Sequence, residues 1–173
     1  MGQKGAFIKQ SELSDFESTL AEYTKSKYAI GVANATDGLE LSLMAIGINP
    51  GDEVICCSHT MLATAAAIHT AGGKPLPVEL GDDNLIDPDA IEDAITNRTV
   101  GIMPTHLNGR TCKMDKIMSI SDKYGLFVVE DAAQSLGSKF KNQNAGTFGK
   151  ASAISFYPAK VLGCLGDGGA VLT

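Results

Sequence analysis

A chain of 173 residues with 44% hydrophobic and 20% charged residues has an ordinary globular composition and is long enough for one compact domain with a substantial core. Its net charge of −6 supplies no basic field to neutralise phosphates, which argues against non-specific nucleic-acid binding. No apolar run reaches the length of a membrane span, and Met1-Gly2-Gln3-Lys4-Gly5 lacks the apolar core of a secretion signal. Met1-Gly2 opens a myristoylation-like pattern, but Ala6 stands where Ser or Thr is needed. Cys56, Cys57, Cys112 and Cys164 form no CxxC pair, so no metal site is expected, and reduced thiols in a cytoplasmic protein are.

Residues 11–23 read as an amphipathic helix, with Leu13, Phe16, Leu20 and Tyr23 near one stripe and Ser14 with Glu17 as a capping box. A strand over 28–33 is followed by a helix over 36–46, ended by Asn49-Pro50-Gly51-Asp52. A strand over 53–57 follows, in which Cys56 and Cys57 point to opposite faces. Next come a core helix over 61–71, a strand over 74–78 and a polar loop over 81–84. Asp87 caps a helix that has Pro88 at its first position and Ile91, Ala94 and Ile95 on its apolar face. A strand over 99–104, a helix over 114–124 and a strand over 126–130 lead to a turn region at Asn142-Gln143-Asn144 and Gly146. Strands over 151–156 and 169–172 close the chain.

This alternation, with strands apolar on both faces, implies an α/β fold with a mostly parallel sheet covered by helices on both faces. In such sheets, ligands sit beyond the carboxyl ends of the strands. The chain shows no internal repeat or linker, and it ends at Thr173 within a predicted strand, which is the expectation for a piece of a longer protein.

Three strand ends carry polar or reactive groups. Asn34-Ala35-Thr36-Asp37-Gly38 opens a helix whose free N–H groups suit a phosphate, although capping by Asn34 or Thr36 explains the same residues. In Glu130-Asp131-Ala132-Ala133-Gln134-Ser135, a carboxylate at a buried strand end must be paired. Asp131 can hold the protonated nitrogen of a pyridine ring, or serve as a cap or structural ion pair. Tyr157-Pro158-Ala159-Lys160 places a lysine in a stretch poor in other charges, just before the glycine-rich 163–169 segment. A desolvated lysine there is a nucleophile, and the plainer reading is a surface lysine before a turn.

Together these segments resemble the DegT/StrS family of sugar aminotransferases that use pyridoxal 5′-phosphate (PLP). The resemblance is carried by Gly31-Val32-Ala33-Asn34-Ala35-Thr36-Asp37-Gly38-Leu39, by Asn49-Pro50-Gly51-Asp52-Glu53-Val54 and by Val129-Glu130-Asp131-Ala132-Ala133-Gln134-Ser135. It continues through Ser155-Phe156-Tyr157-Pro158-Ala159-Lys160 into Gly166-Asp167-Gly168-Gly169. It implies the large domain of a PLP-dependent fold type I aminotransferase, spanning 1–173 as one unit and lacking the C-terminal part of the family fold.

Residue by residue, the resemblance implies that Lys160 bonds to PLP and later shuttles a proton, and that Asp131 pairs with the ring nitrogen. It places Gln134 against the phenolic oxygen side. Thr36, with backbone N–H groups of the turn at Ala35, would bind the phosphate, with a further contact from Ser155. Where the family commonly stacks an aromatic ring on PLP, this chain has Met61, whose thioether also packs on aromatic faces. His59 is the substitute if the register shifts, and His106 follows a strand as a candidate pocket residue.

The implied reaction moves an amino group from a donor, glutamate by resemblance, to a nucleotide-linked keto sugar in surface polysaccharide or glycoside biosynthesis. The implied assembly is a homodimer whose partner helps to build each site, and poor activity is expected of the 173-residue chain alone. Two alternatives remain on the same scaffold: a sugar dehydratase, which in this family carries histidine at the lysine position, and a non-catalytic PLP-binding homologue. A plain nucleotide-binding domain is disfavoured by the absence of a P-loop and of the dinucleotide glycine pattern.

Overall fold

A computed structural model of the protein describes residues 11–173, so the reading of the N-terminal residues lies outside the described part. The chain runs through α1 (Ser11–Thr24), β1 (Ala29–Val32), α2 (Ala35–Ile46), β2 (Glu53–Cys57), α3 (Leu62–Thr70), β3 (Lys74–Val78) and α4 (Pro88–Asp93). It continues through β4 (Thr99–Met103), α5 (Met114–Tyr124), β5 (Phe127–Asp131), β6 (Lys139–Phe140), β7 (Gln143–Asn144), β8 (Ala151–Ser155) and β9 (Gly169–Leu172). A seven-stranded sheet has the order β1-β9-β8-β5-β4-β2-β3. Its neighbours pair in parallel from β8 to β3, while β9 runs antiparallel to both β1 and β8. The mostly parallel sheet expected from the sequence is present.

Every residue of β2, β5, β8 and β9 is buried, as strands covered on both faces require. Alternation along the strands divides the core. Ile55, Cys57, Ile102 and Val128 pack with Ile91 of α4 and Met114 and Ile117 of α5. Val54, Cys56, Met103 and Val129 pack on the other face with Leu39 and Leu43 of α2 and Ala67 and Ile68 of α3. Cys56 and Cys57 therefore do face opposite ways. Burial pushes the Cys56 thiol up to about 11 and the Cys112 thiol up to about 12, and all four cysteines are free.

Local chemistry explains most element ends. Asn34 caps α2 by accepting the Asp37 N–H, and Gly47, at φ 90°, closes it through bonds to Leu43 and Met44 carbonyls. Asp87 caps α4 as expected, but that helix stops at Asp93, and Ala94 and Ile95 reach the core from beyond its end.

Several expectations are corrected. Ser14 lies inside α1, and Glu17 accepts the Gly31 N–H at 2.7 Å, so it ties the helix to β1 instead of closing a capping box. On the α1 stripe Leu20 is buried and Phe16 packs edge-on against Phe156, whereas Leu13 and Tyr23 are exposed. The turn region near 142 is the tip of a small antiparallel hairpin, β6–β7, with Lys141 and Asn142 at positive φ.

Candidate active site

The carboxyl ends of β1, β4, β5 and β8 open onto one cavity of about 600 Å³. Ala35, Thr36, Met61, Asp131, Gln134, Ser155 and Lys160 all line it, although they come from elements up to 125 residues apart (160 − 35). The fold thus gathers the three strand ends picked out in the sequence.

At one wall, Asn34 accepts from Asp37 N at 2.9 Å, and the Gly38 N–H bonds the Asn34 carbonyl. The first two N–H groups of α2, on Ala35 and Thr36, come before any intrahelical acceptor and are aimed outward from the helix start. Gly169 of β9 permits this placement. A Cβ built there would lie 2.5 Å from the Asn34 carbonyl carbon and 2.9 Å from the Ala35 nitrogen, so only glycine lets the strand run this close. Ser155 pairs with Gly169 across the β8–β9 ladder, and its Oγ accepts from Tyr157 N at 3.3 Å, which leaves the hydroxyl proton free to donate.

At the floor, Asp131 is 5% exposed. Its Oδ2 accepts from Thr64 Oγ1 at 2.6 Å and its Oδ1 from Ala133 N at 3.2 Å. Among the described residues no Lys, Arg or His side chain forms an ion pair with it. A buried carboxylate that opens on a cavity without a cation is a place for one to bind. Gln134 has its Oε1 occupied by the Asn108 N–H at 3.0 Å, which turns its amide N–H₂ into the donor available to the cavity. Asn108, in the short 3-10 turn Leu107–Gly109, has φ 55°.

Lys160 closes the tight turn that follows β8, with its backbone N–H on the Tyr157 carbonyl at 2.8 Å. It is partly exposed, lines the cavity and forms no ion pair among the described residues. Met61, just before α3, is 65% exposed at the rim.

The two histidines do not belong to this lining. His59 is exposed and outside it. His106 is fully buried, with Nε2 donating to Glu130 Oε2 at 2.8 Å and Nδ1 accepting from Cys112 N at 3.2 Å. Its ring is committed to the interior, which corrects the expectation of a pocket residue. Sequence reasoning also missed Thr60 and Thr105, which line the cavity, and Thr64 behind them. Thr64 sits in the apolar stretch Leu62–Thr70 and reads there as helix core; nothing local marks its contact with Asp131.

Comparison with known proteins identifies relatives of this chain. The dTDP-3-amino-3,4,6-trideoxy-alpha-D-glucose transaminase of Streptomyces venezuelae is 44% identical over 170 residues, covering 98% of this chain and 45% of that protein. The crystal structure of S. venezuelae DesV in complex with ketimine intermediate superposes with a TM-score of 0.96 at 43% identity, over 99% of this chain and 46% of that one. The Bacillus subtilis NtdA structure with bound cofactor PMP gives a TM-score of 0.92 at 37% identity, over 99% of this chain and 39% of that one. The chain therefore spans somewhat under half the length of these relatives. Residues 1–173 match the DegT/DnrJ/EryC1/StrS aminotransferase family throughout, and the chain belongs to that family.

Proposed function

We propose that residues 1–173 form the PLP-binding large domain of an enzyme that transfers an amino group, with glutamate as donor, to a nucleotide-linked keto sugar. The product would serve surface polysaccharide or glycoside biosynthesis. The observation that carries this reading is the convergence of a lysine amine, a buried carboxylate without a cation partner among the described residues, and a helix N-terminus on one cavity of about 600 Å³. The transaminase name of the 44% identical relative and the cofactor-bound state of NtdA support it.

The residues present fit PLP. Bound there, the cofactor would supply an electron sink conjugated to the reacting carbon. Asp131 would hold the ring N–H and keep its positive charge in place. The Ala35 and Thr36 N–H groups and the hydroxyls of Thr36 and Ser155 would bind the phosphate dianion. Gln134 would donate its amide N–H to the phenolic oxygen. Met61 would pack its thioether on the ring face. Lys160 would hold the aldehyde carbon through its amine, and the same amine would carry a proton to and from the reacting carbon.

The reading includes a homodimer and a cytoplasmic location. Leu62 and Val161, each next in sequence to a lining residue, are 80% and 77% exposed. Apolar side chains so placed at a cavity mouth suit a covering surface from a second copy. Reduced cysteines suit the location, and no helix among the described residues is long and apolar enough to cross a membrane. Lys160, at the position where the resemblance puts histidine in dehydratases, favours amino transfer over dehydration.

The test uses the full-length protein with PLP. Borohydride reduction followed by peptide mapping should place the cofactor on Lys160, and Lys160→Ala should lose both the visible band of the bound cofactor and donor-dependent product. Retention of band and turnover in that variant would overturn the assignment. A bound cofactor without donor-dependent product in the parent protein would favour the non-catalytic homologue.

A further inference from the structure

Behind the floor of the cavity lies a short chain of hydroxyl groups. Thr64 is fully buried on α3, and its Oγ1 donates to Asp131 Oδ2 at 2.6 Å. Thr60 Oγ1 lies 2.7 Å from Thr64 Oγ1 and 3.1 Å from Thr105 Oγ1. A hydroxyl has one proton, and a carboxylate accepts without donating. The Thr64 proton is spent on Asp131, so the Thr60–Thr64 contact must be donated by Thr60. The Thr60 proton is then spent in turn, and the contact with Thr105 must be donated by Thr105. All three O–H bonds therefore point one way, from Thr105 through Thr60 and Thr64 to the carboxylate.

We infer that this Thr105–Thr60–Thr64 chain is a positioning device that fixes the orientation and charge of Asp131 for a ring N–H, with Thr64 as its decisive member. The inference rests on the proposed pairing of Asp131 with the cofactor nitrogen. Three features support it. Aligned hydroxyl dipoles polarise one another, so each O–H strengthens the next toward the negative end. The other carboxylate oxygen is held by the Ala133 N–H, so both oxygens are anchored and the plane of the group is fixed. The hydroxyls come from α3, from the segment just before it and from the segment just after β4, so the carboxylate is held from neighbouring parts of the fold as well as by its own strand. A rotamer locked in this way does not reorganise when the ligand arrives, and that saves affinity.

The test compares two ligands in the full-length apoprotein: PLP, and the PLP analogue in which CH replaces the ring nitrogen. The parent protein should bind PLP more tightly than the analogue, because only PLP offers Asp131 an N–H. In Thr64→Val, which keeps the shape and removes the hydroxyl, PLP affinity should fall by about tenfold while affinity for the analogue stays unchanged. Thr64→Ser should restore the preference for PLP. Thr60→Val should show the same selective loss to a smaller extent, and it decides the matter if Thr64→Val does not fold. Equal weakening of both ligands, or an undiminished preference for PLP in the valine variants, would overturn the inference and leave Asp131 as the partner of the ring. No preference in the parent protein would instead overturn the pairing of Asp131 with the ring nitrogen and this inference with it.

Discussion

His106 and Glu130, neither with any exposed surface, meet through a 2.8 Å hydrogen bond from Nε2 to Oε2, immediately behind the backbone of Asp131. The His106 N–H bonds the Asp131 carbonyl at 2.9 Å, so the pair and the cavity floor share one stretch of main chain. Glu130 is also the anchor of the segment before β8. It accepts from Gly146 N at 2.8 Å, Phe148 N at 2.7 Å and Gly149 N at 2.8 Å.

Removing that acceptor strands several buried donors at once. Glu130→Ala should cost about 3–5 kcal/mol of folding stability, read as a lower urea midpoint, and Glu130→Gln should cost less because one amide oxygen remains. A midpoint unchanged by Glu130→Ala would show that water takes over these donors freely.

Gly169 sets the distance between β9 and the start of α2. Gly169→Ala should push the Ala35 and Thr36 N–H groups out of place, because its Cβ would meet the Asn34 carbonyl carbon at 2.5 Å. A stability loss of about 1–3 kcal/mol is expected from the overpacking, together with weaker binding of PLP in a titration of the apoprotein. Unchanged PLP affinity in a folded variant would separate that helix start from phosphate binding.

Asp131 offers a cleaner contrast between charge and shape. Asp131→Asn keeps the volume and the acceptor for Thr64 but removes the negative charge, so PLP affinity should fall by about tenfold or more, while the fold is retained by circular dichroism. Equal PLP affinity in parent and variant would exclude a role for the charge.

At the opposite end of the sheet, Glu53 binds Thr96 at 2.7 Å, Arg98 at 2.8 Å and Lys74 at 3.1 Å. The Thr96 hydroxyl first, and then Arg98 and Lys74, hold its carboxyl at about 2 against an ordinary 4.5. A pKa lowered on folding stabilises the fold above the unfolded value and loses that contribution as pH falls through the folded one. The stability gap between the parent protein and Glu53→Gln should be full above pH 4.5 and close as pH drops toward 2. Thermal melts of both proteins across that range check it; a gap that does not narrow on acidification would contradict it.

The sheet and most of its strand limits were legible because burial on both faces writes continuous apolar runs such as Val54-Ile55-Cys56-Cys57, and turn residues bracket them. The lysine, the aspartate and the helix start were legible as polar groups placed where parallel strands end. What escaped were partnerships across elements. Glu17 sits three residues after Ser14, which suggested a local cap, yet its partner is Gly31 on another element. His106 looked available because it follows a strand, and only the fold reveals Glu130 beside it. Thr64 meets a residue 67 positions away (131 − 64), a distance over which no local periodicity operates.

The reversed direction of β9 bears on where Lys160 sits. β8 and β9 are antiparallel neighbours, with Ser155 opposite Gly169, so the segment between them leaves the sheet and returns to the same place. Lys160 lies five positions beyond Ser155 (160 − 155), in a turn closed by its own N–H on the Tyr157 carbonyl. One residue inserted within that turn would shift the amine by up to about 3.3 Å, as much as the whole approach distance between two reacting atoms. Cys164 on the returning arm bonds back to the Phe156 carbonyl at 2.8 Å, so that arm is tied to the same turn as the amine.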